Sequence, residues 1–484
     1  MMTNAAIRAL EPTALWNHFA DLNAVPRPSK KEERVIAFIK QFGEGLKLPT
    51  HVDPAGNVII KKPGTKGKEK ATTVVLQSHL DMVHQKNGDT VFDFDSEGIR
   101  MKVEGDWVKA EGTTLGADNG LGVATIMTLL ASTDIPHPPL EALFTIDEET
   151  GMTGAFELKG GLLDGTILLN LDTEEDNELT IGCAGGLDVT AKGTYTSEAI
   201  PDGTVGQRLV VKGLNGGHSG TDIHRSFGNA NKLMNRLLMR GEAHGLRIAT
   251  IDGGSLRNAI PRESVATLVL PADKVAAFTT AINDLKAIII SEYRSTDPEL
   301  TIELAAAEVT GKVMDAKDQQ RFLRAVQACP NGIHRMSPDV EGLTQTSNNM
   351  ARIELKDGNY MVMCLTRSSV DSEKTDQADM IKAVFEMIGA DVKYSGDYPG
   401  WTPRPEGHIV KLMSTIYRER FKEEAHVLAC HAGLECGILG TNYPNMEMIS
   451  FGPTIRGAHS PDERAQISSV QKYWGFLLET LERI

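Results

Sequence analysis

The chain has 484 residues, of which 41% are hydrophobic and 24% are charged, and this length is typical of a protein with two domains. A formal net charge of −15 argues against nucleic acid or an anionic membrane surface as the main partner, because both attract basic patches. Five cysteines without CxxC spacing, no run of about 18 apolar residues and no secretory signal together predict a cytoplasmic protein.

Residues 1–180 alternate short apolar segments with amphipathic ones. The segments 74–80, 141–146 and 166–171 are typical of buried strands, and residues 122–132 have the spacing of an apolar helix. Alternation of this kind predicts an α/β domain with a mostly parallel central sheet. Because ligands of such sheets bind beyond the carboxyl ends of the strands, functional residues are expected where these strands end.

The pattern changes after residue 186. Polar and apolar residues alternate there as in antiparallel strands, and two longer segments have helical periodicity. The predicted strands are residues 187–197, 207–217, 264–270 and 301–309, and the predicted helices are residues 223–240 and 274–294. These elements predict a second, α+β domain over residues 187–399.

A helix–strand–helix pattern returns near the C-terminus. Residues 408–421 and 467–482 are predicted helices, and residues 446–453 contain a predicted strand. These elements form either a third small domain or the remainder of the first one. We prefer the second interpretation, in which residues 1–186 and 400–484 make one domain and the middle domain is an insertion.

Side chains that can bind metal ions occur where the predicted strands end or the predicted helices begin. They are His79, Asp118, Glu149, Asp172 and His459. Each residue alone could also have a role without metal. Asp118 precedes a predicted helix and could be its N-cap, and His459 could be an ordinary loop residue. Because the strands belong to one predicted sheet, their ends are expected to converge on one edge, which favours a shared site.

A mixed set of two imidazoles and three carboxylates suits Zn²⁺ or a similar divalent cation. If one carboxylate bridges, five ligands hold two ions and leave positions open for water. Two such ions polarise a carbonyl group and activate water near neutral pH. One further carboxylate must move the proton, and Glu148 stands beside Glu149 in the sequence. The pattern therefore predicts a two-metal hydrolytic centre.

Five motifs resemble, in their order and spacing, those of metallopeptidase family M20, the co-catalytic zinc peptidases and deacylases: HLDMV, GADNG, DEETG, LDTEE and RGAHSPDE. The resemblance covers nearly all of the 484 residues. It implies a zinc-peptidase-like α/β catalytic domain made from the two ends of the chain, with an inserted α+β lid domain. It also implies a homodimer.

The resemblance further implies which residues bind the two metal ions. His79 and Asp172 would hold one ion. Glu149 and His459 would hold the other, and Asp118 would bridge the pair. Zinc is the expected metal, and manganese and cobalt suit the same ligands.

The catalytic residues follow from the same resemblance. Asp81 would orient His79 through the second ring nitrogen, and Glu148 would act as general base and acid. His218, in the motif NGGHSG, matches a family histidine that approaches the scissile carbonyl and stabilises the developing oxyanion. Asp147 is expected to be structural.

Three residues are implied as substrate-binding. Asn258 and Arg367 are candidates for the substrate carbonyl and carboxylate, because a guanidinium group binds a carboxylate through two hydrogen bonds. Gly433 could offer a backbone N–H group. It lies in HAGLECG, which departs from the glycine-threonine loop of many relatives and leaves the roles of His431 and Glu435 open.

The resemblance implies hydrolysis of unblocked dipeptides, Xaa-His dipeptides among them, by metal-activated water with a glutamate as general base. Two alternatives stay open at this point. One is another M20 hydrolase, such as a tripeptidase, a carboxypeptidase or an N-acyl-amino-acid deacylase. The other is a protein that binds peptides or metals without catalysis, although every expected ligand and the base are present.

Overall fold

The structure is a computed structural model that describes residues 4–484. The chain divides into two compact units. The first comprises Met1–Gly182, Pro403–Ala429 and Leu434–Ile484, and the second comprises Cys183–Thr402 and Cys430–Gly433. Among the helices of residues 4–484, none combines the length and the low polarity that crossing a bilayer requires.

The strands and helices are numbered in chain order. The strands are β1 (Thr50–Val52), β2 (Val58–Lys62), β3 (Val74–His79), β4 (Met101–Glu104), β5 (Trp107–Ala110), β6 (Leu140–Thr145), β7 (Ile167–Asn170), β8 (Glu178–Cys183), β9 (Gly185–Thr194), β10 (Ser197–Ala199), β11 (Thr204–Lys212), β12 (Arg247–Gly254), β13 (Ser264–Pro271), β14 (Thr301–Ala306), β15 (Lys312–Met314), β16 (Gly332–Met336), β17 (Thr344–Lys356), β18 (Asn359–Ser368), β19 (Asp391–Tyr398), β20 (His426–Cys430), β21 (Glu447–Ser450), β22 (Ile455–Arg456) and β23 (Arg464–Gln466). The helices are α1 (Ala5–Arg8), α2 (Thr13–Leu22), α3 (Glu33–Gly45), α4 (Ala117–Ala131), α5 (Glu148–Gly151), α6 (Thr153–Glu157), α7 (Ala230–Gly241), α8 (Val275–Tyr293), α9 (Ala316–Ala328), α10 (Asp371–Glu386), α11 (His408–Phe421), α12 (Glu435–Asn442) and α13 (Ile467–Arg483).

An eight-stranded sheet forms the centre of the first unit, in the order β1-β2-β6-β3-β7-β21-β8-β20. Strands β6, β3, β7 and β21 run parallel to one another. The strands β2 and β8 join this group in antiparallel orientation. The predicted α/β class is confirmed, and the sheet, predicted to be mostly parallel, has four parallel strands at its centre.

The three strands predicted from the N-terminal part are buried along their whole length. Every residue of β3, β6 and β7 is buried, which is the pattern of a parallel sheet covered on both faces. Helices α3, α4, α11 and α13 contribute apolar side chains to the same core. Because these strands share one direction, their carboxyl ends lie at a common edge of the sheet.

The second unit contains an antiparallel sheet in the order β14-β11-β13-β12-β17-β18-β9-β19, with β16 paired to β17. Helices α7, α8, α9 and α10 pack their apolar side chains against this sheet. The helix periodicity of the sequence is visible in α7, which buries Leu233, Leu237 and Leu238 on one face. The unit has the α+β composition predicted for this part of the chain.

The helix predicted over residues 223–240 begins later than its apolar periodicity indicated. Residues Ile223–Arg225 form a single 3-10 turn, and Ser226 has a φ of 58°, which a helix cannot continue through. Asn229 then caps α7, because its side-chain oxygen accepts hydrogen bonds from the backbone N–H groups of Asn231 (3.0 Å) and Lys232 (3.2 Å). A capping asparagine therefore sets the start of this helix.

Replacing Asn229 with alanine is expected to lower the free energy of unfolding of the second unit by about 2 kcal/mol. The variant loses the helix cap and also the hydrogen bond from the Asn229 amide to the carbonyl of Met350 (3.1 Å). Equilibrium urea denaturation followed by circular dichroism measures the change. Asn229→Asp keeps the capping oxygen and should lose less, and equal losses in the two variants would contradict the capping role.

Candidate metal centre

His79 is the last residue of β3 and is fully buried at the edge of the sheet. Its Nε2 atom lies 3.1 Å from Asp118 Oδ1 and 3.5 Å from Asp172 Oδ1. Its Nδ1 atom faces the other way, 3.4 Å from Asp81 Oδ1 and 3.2 Å from the backbone oxygen of Asp81. The ring thus points Nε2 into a group of carboxylates while Asp81 holds Nδ1, which is the arrangement of a metal-binding imidazole.

Asp118 lies between two histidines. Its Oδ1 atom is 3.1 Å from His79 Nε2, and its Oδ2 atom is 3.1 Å from His459 Nε2. His459 Nε2 also lies 3.0 Å from Glu149 Oε2. The Asp118 carboxylate therefore contacts the histidines instead of capping α4, whose N-cap position is Gly116.

Two groups of candidate ligand atoms share Asp118. The first contains His79, Asp118 and Asp172, the second contains Asp118, Glu149 and His459, and within each group the atoms lie within 4.8 Å of one another. Among residues 4–484, Glu149 Oε1 finds no hydrogen-bond partner although it is buried. Two imidazoles and three carboxylates, one of them shared and one with an unused oxygen, fit a pair of divalent cations.

The carboxylates shift the pKa values of the histidines they face. Hydrogen bonds with Asp118 and Glu149 raise the pKa of His459 to about 11. Burial alone would lower the pKa of His79, but Asp172 and Asp118 raise it well above its ordinary value. Protons on the two imidazoles would offset part of the negative charge of the three carboxylates. Cations that replaced these protons would meet the same need, since bound metals and protons compete for ligands.

Glu148 and Glu149 open the short helix α5 directly after β6. The backbone N–H of Glu148 donates to Asp81 Oδ1 (3.0 Å), and that of Glu149 donates to Asp81 Oδ2 (3.3 Å). The hydroxyl of Ser29 donates to the same Oδ2 atom (2.8 Å). Asp81 therefore ties the orientation of His79 to the position of both glutamates.

The environment of Glu148 favours its protonated form. Burial raises the pKa of its carboxyl group well above the ordinary value, and the negative charges of Asp172, Glu435 and Glu149 act in the same direction. A carboxyl group whose pKa lies closer to neutrality can both accept and donate a proton at physiological pH.

Asp147 is directed into the turn rather than toward the candidate ligands. Its carboxylate accepts hydrogen bonds from the hydroxyl groups of Thr150 and Thr153 and from Lys30 Nζ (3.0 Å). Its φ of 53° lies in the left-handed region, where an aspartate is tolerated better than most residues. These are the contacts of a residue that shapes the DEETG turn.

The structure adds Glu435 to the surroundings of the centre. This buried carboxyl group accepts hydrogen bonds from Gln77 Nε2 (2.6 Å) and Thr145 Oγ1 (2.7 Å), and burial raises its pKa to about 7. Gln77 shares a face of β3 with His79, and Thr145 is paired with His79 across the sheet. Glu435 therefore contacts the strand partner of His79 and the residue two positions before His79. The sequence contained no local pattern that predicts this contact.

Two further residues hold the candidate ligands without being predicted from the sequence. The buried Arg27 donates to the backbone oxygens of Leu80 and Asp81 (both 3.1 Å), directly after His79. Asn119 Nδ2 donates to the carboxylate of Asp172. No local pattern in the sequence predicts the hydrogen-bond partners of Arg27 and Asn119.

His218 belongs to the second unit and has a defined tautomer. Its Nδ1 atom accepts hydrogen bonds from the backbone N–H groups of Gly220 (3.2 Å) and Thr221 (3.1 Å), which leaves the proton on Nε2. Burial and the charge of Arg367 lower the pKa of the ring, so it is neutral at pH 7. The side chain can therefore donate one hydrogen bond through Nε2.

Arg367 is a buried cation of the second unit. Its guanidinium group donates to Tyr398 OH (2.6 Å) and Ser219 Oγ (3.3 Å). Ser347, paired with Arg367 across the sheet, shares a hydrogen bond of 2.8 Å with His431 Nε2. Burial and Arg367 lower the pKa of His431 to about 3, so this imidazole is neutral. The group offers positive charge and polar hydrogens to an anion.

Asn258 and Gly433 lie in the same unit. The side chain of Asn258 is exposed, and its backbone oxygen accepts a hydrogen bond from the N–H of Ser219 (2.7 Å), next to His218. Gly433 ends the segment Cys430–Gly433, which also carries His431. The structure thus places all four predicted substrate-contacting residues, including Arg367 and His218, within the second unit.

Two imidazoles and three carboxylates, one of them shared, converge beside the ends of the parallel strands, which is the arrangement typical of a binuclear metal-dependent hydrolase. The family model described as Peptidase family M20/M25/M40 matches residues 75–483. The chain belongs to this peptidase family, and the resemblance of its motifs is confirmed.

Individual relatives agree with the family assignment. The chain is 42% identical over 476 residues to the cytosol non-specific dipeptidase of Escherichia coli strain K12, covering 98% of each protein. It superposes on the crystal structure of the aminoacylhistidine dipeptidase of Vibrio alginolyticus with a TM-score of 0.95 and 44% identity, covering 99% of this chain and 98% of the other. The aminopeptidase PepT of Bacillus cereus shares the fold, with a TM-score of 0.57 and 15% identity over 98% of each chain.

Proposed function

We propose that this protein is a metal-dependent dipeptidase that hydrolyses unblocked dipeptides, Xaa-His dipeptides among them. The names of its full-length relatives, a non-specific dipeptidase and an aminoacylhistidine dipeptidase, support this substrate class. The observation that carries the proposal is the position of Asp118, whose two oxygens face His79 and His459 at 3.1 Å each. One carboxylate is thereby available to two cations at once.

Two divalent ions are proposed to bind in this centre. His79 and Asp172 would hold one ion, Glu149 and His459 the other, and Asp118 both. When bound, such ions supply Lewis acidity that polarises the scissile carbonyl and lowers the pKa of water. Zinc is the proposed metal, and manganese or cobalt would suit the same nitrogen and oxygen ligands.

Glu148 is proposed to move the proton. Its carboxylate would accept a proton from the attacking water and deliver it to the amine of the departing amino acid. Two features support this role: its backbone is fixed by Asp81, and its pKa is raised toward neutrality. Asp81 would act indirectly, by holding the His79 ring and the first turn of α5 in one arrangement.

The second unit is proposed to bind the substrate. His218, as a neutral Nε2–H donor, would stabilise the oxyanion that develops on the carbonyl oxygen. The guanidinium group of Arg367 suits the free carboxylate of a dipeptide, and Asn258 and Gly433 are proposed to contact its peptide carbonyl and backbone. In this scheme residues 1–186 and 400–484 carry the chemistry and residues 187–399 act as the lid.

We further propose that the protein acts in the cytoplasm as a homodimer. The name of the Escherichia coli relative, a cytosol dipeptidase, supports the compartment. The oligomeric state follows only from the family resemblance of the sequence. Light scattering of the purified protein would measure it, and a monomer at micromolar concentration would contradict the proposal.

The purified protein is expected to hydrolyse Ala-His and other unblocked dipeptides, and to lose this activity when the substrate amine is acetylated. A panel of Ala-His, acetyl-Ala-His, Ala-Ala-His and N-acetyl-alanine, followed by liberated histidine or alanine, makes the test. Preferential cleavage of N-acetyl-alanine would indicate a deacylase, and preferential cleavage of Ala-Ala-His a tripeptidase. If none of the four compounds were cleaved, the proposed catalytic function would be contradicted.

A further inference from the structure

Glu463 forms an unusual contact with the segment that carries Asp118. Its Oε2 atom accepts hydrogen bonds from the backbone N–H groups of Leu115 (2.7 Å) and Gly116 (3.0 Å). Its Oε1 atom accepts from those of Ala117 (2.7 Å) and Asp118 (3.3 Å). One buried carboxyl group thus accepts hydrogen bonds from four consecutive backbone donors, and both of its oxygens are used.

The same segment is held from its carbonyl side by Arg27. The guanidinium group donates to the oxygen of Gly116 (2.6 Å) as well as to the chain directly after His79. Gly116 has a φ of 68°, and a Cβ atom there would lie 2.5 Å from Arg27 Nη2 and 2.8 Å from Met82 Sδ. The turn therefore has little freedom, and its position relative to the sheet depends on these two charged side chains.

Glu463 also belongs to the turn that carries His459. Within it, the N–H of Ser460 donates to the oxygen of Gly457 (3.2 Å), and the N–H of Glu463 donates to the oxygen of Ser460 (3.0 Å). A glutamate four residues beyond His459 therefore grips the backbone of Asp118. The contact fixes the imidazole of one turn relative to the carboxylate of the other.

We propose that Glu463 is a positioning residue that couples the two metal sites by holding Asp118 between His79 and His459. This inference rests on the proposed two-metal centre, but not on the identity of the substrate. If the Asp118 turn moved, one oxygen could still face His79 while the other lost His459. Loss of Glu463 should therefore weaken binding of the ion held by Glu149 and His459 more than binding of the ion held by His79 and Asp172.

The test is a titration of the metal-free protein with Co²⁺, followed by absorption spectroscopy and calorimetry. Wild type is expected to bind two equivalents. Glu463→Gln should raise the Kd of the second equivalent by about 10–100-fold, as is typical when a residue that orients a metal ligand is lost, and should alter the visible spectrum of the bound Co²⁺. The amide nitrogen of glutamine would face two of the four N–H donors, and it cannot accept hydrogen bonds from them.

Asp462→Asn is the matched control, because it removes one negative charge from an exposed neighbouring position of the same turn. It should bind both equivalents as wild type does. If Glu463→Gln fails to fold, Glu463→Asp takes its place, because its carboxylate is one methylene too short to reach both pairs of N–H groups. Wild-type Kd values and spectrum in the folded Glu463 variant would overturn the inference. If wild type bound two Co²⁺ ions but did not hydrolyse dipeptides, the proposed function would be overturned and the inference about Glu463 would not.

Discussion

Replacing Glu148 with glutamine is expected to lower kcat for dipeptide hydrolysis by about 10²–10⁴-fold, the usual contribution of a general base. Glutamine has nearly the same shape but cannot accept the proton of the attacking water. KM should change little, because the variant keeps the backbone N–H bond to Asp81 and every proposed ligand. Steady-state kinetics with Ala-His and metal analysis of the same preparation make the measurement.

Glu157→Gln is a suitable control for this substitution. Glu157 ends α6, a few residues beyond the DEETG turn, and its side chain is exposed near Lys159 (3.5 Å). The control should keep wild-type kcat. A Glu148→Gln protein that retained its metal and hydrolysed Ala-His at the wild-type rate would show that another group moves the proton. Loss of metal together with activity would instead make Glu148 a ligand.

Much of the fold could be predicted from the sequence because its signals are local. Strands β3, β6 and β7 are short apolar runs that end in polar residues, and each is observed within one residue of its predicted start. The helices α11 and α13 follow apolar positions spaced three and four residues apart. The start of α7 was predicted too early, because apolar periodicity says nothing about the side-chain cap that Asn229 supplies.

Three of the five candidate ligands, His79, Glu149 and Asp172, follow the parallel strands β3, β6 and β7, whose ends meet at one edge of the sheet. Asp118 opens α4 and His459 lies between β22 and β23 of a separate sheet, so the order and spacing of the motifs, rather than the sheet edge, indicated these two. The structure brings all five together, and their roles as ligands stay predictions that metal analysis must test. The residues that hold them were not predictable in this way. Glu463 contacts Leu115 across 348 positions of the chain, and Glu435 contacts Gln77 across 358. Such contacts depend on the assembled fold rather than on any local pattern.

These buried contacts also explain how three adjacent acids share one turn. Asp147 is neutralised locally by Lys30 and two hydroxyl groups, so it adds little to the repulsion. Glu149 Oε2 lies 3.0 Å from His459 Nε2. The raised pKa of His459 favours the protonated imidazole, and a bound cation would replace that positive charge. Burial raises the pKa of Glu148 well above its ordinary value although the charge of His79 lowers it, and burial also raises the pKa of Glu149. The repulsion among the three acids is thus partly offset, for Asp147 by Lys30 and for the two glutamates by the histidines they face.

Replacing Asp118 with asparagine is expected to cost about 10³-fold or more in kcat/KM, since the Lewis acidity of bound ions is worth several kcal/mol and 1.36 kcal/mol corresponds to a factor of ten. An amide offers one oxygen where the two histidines each face a carboxylate oxygen at 3.1 Å. The variant also lacks the negative charge that balances two cations. Metal content should fall from two ions per chain to one or none.

Metal removal from the wild type should reproduce this loss, which separates the role of the ions from that of the Asp118 side chain. Dialysis against a chelator is expected to abolish hydrolysis of Ala-His, and addition of Zn²⁺, Mn²⁺ or Co²⁺ should restore it in wild type but not in Asp118→Asn. Asp134→Asn, at an exposed position beyond α4, is the matched control and should be restored fully. Hydrolysis that persisted in the chelated wild type would refute the binuclear mechanism. Full restoration of Asp118→Asn would show that Asp118 is not the shared ligand.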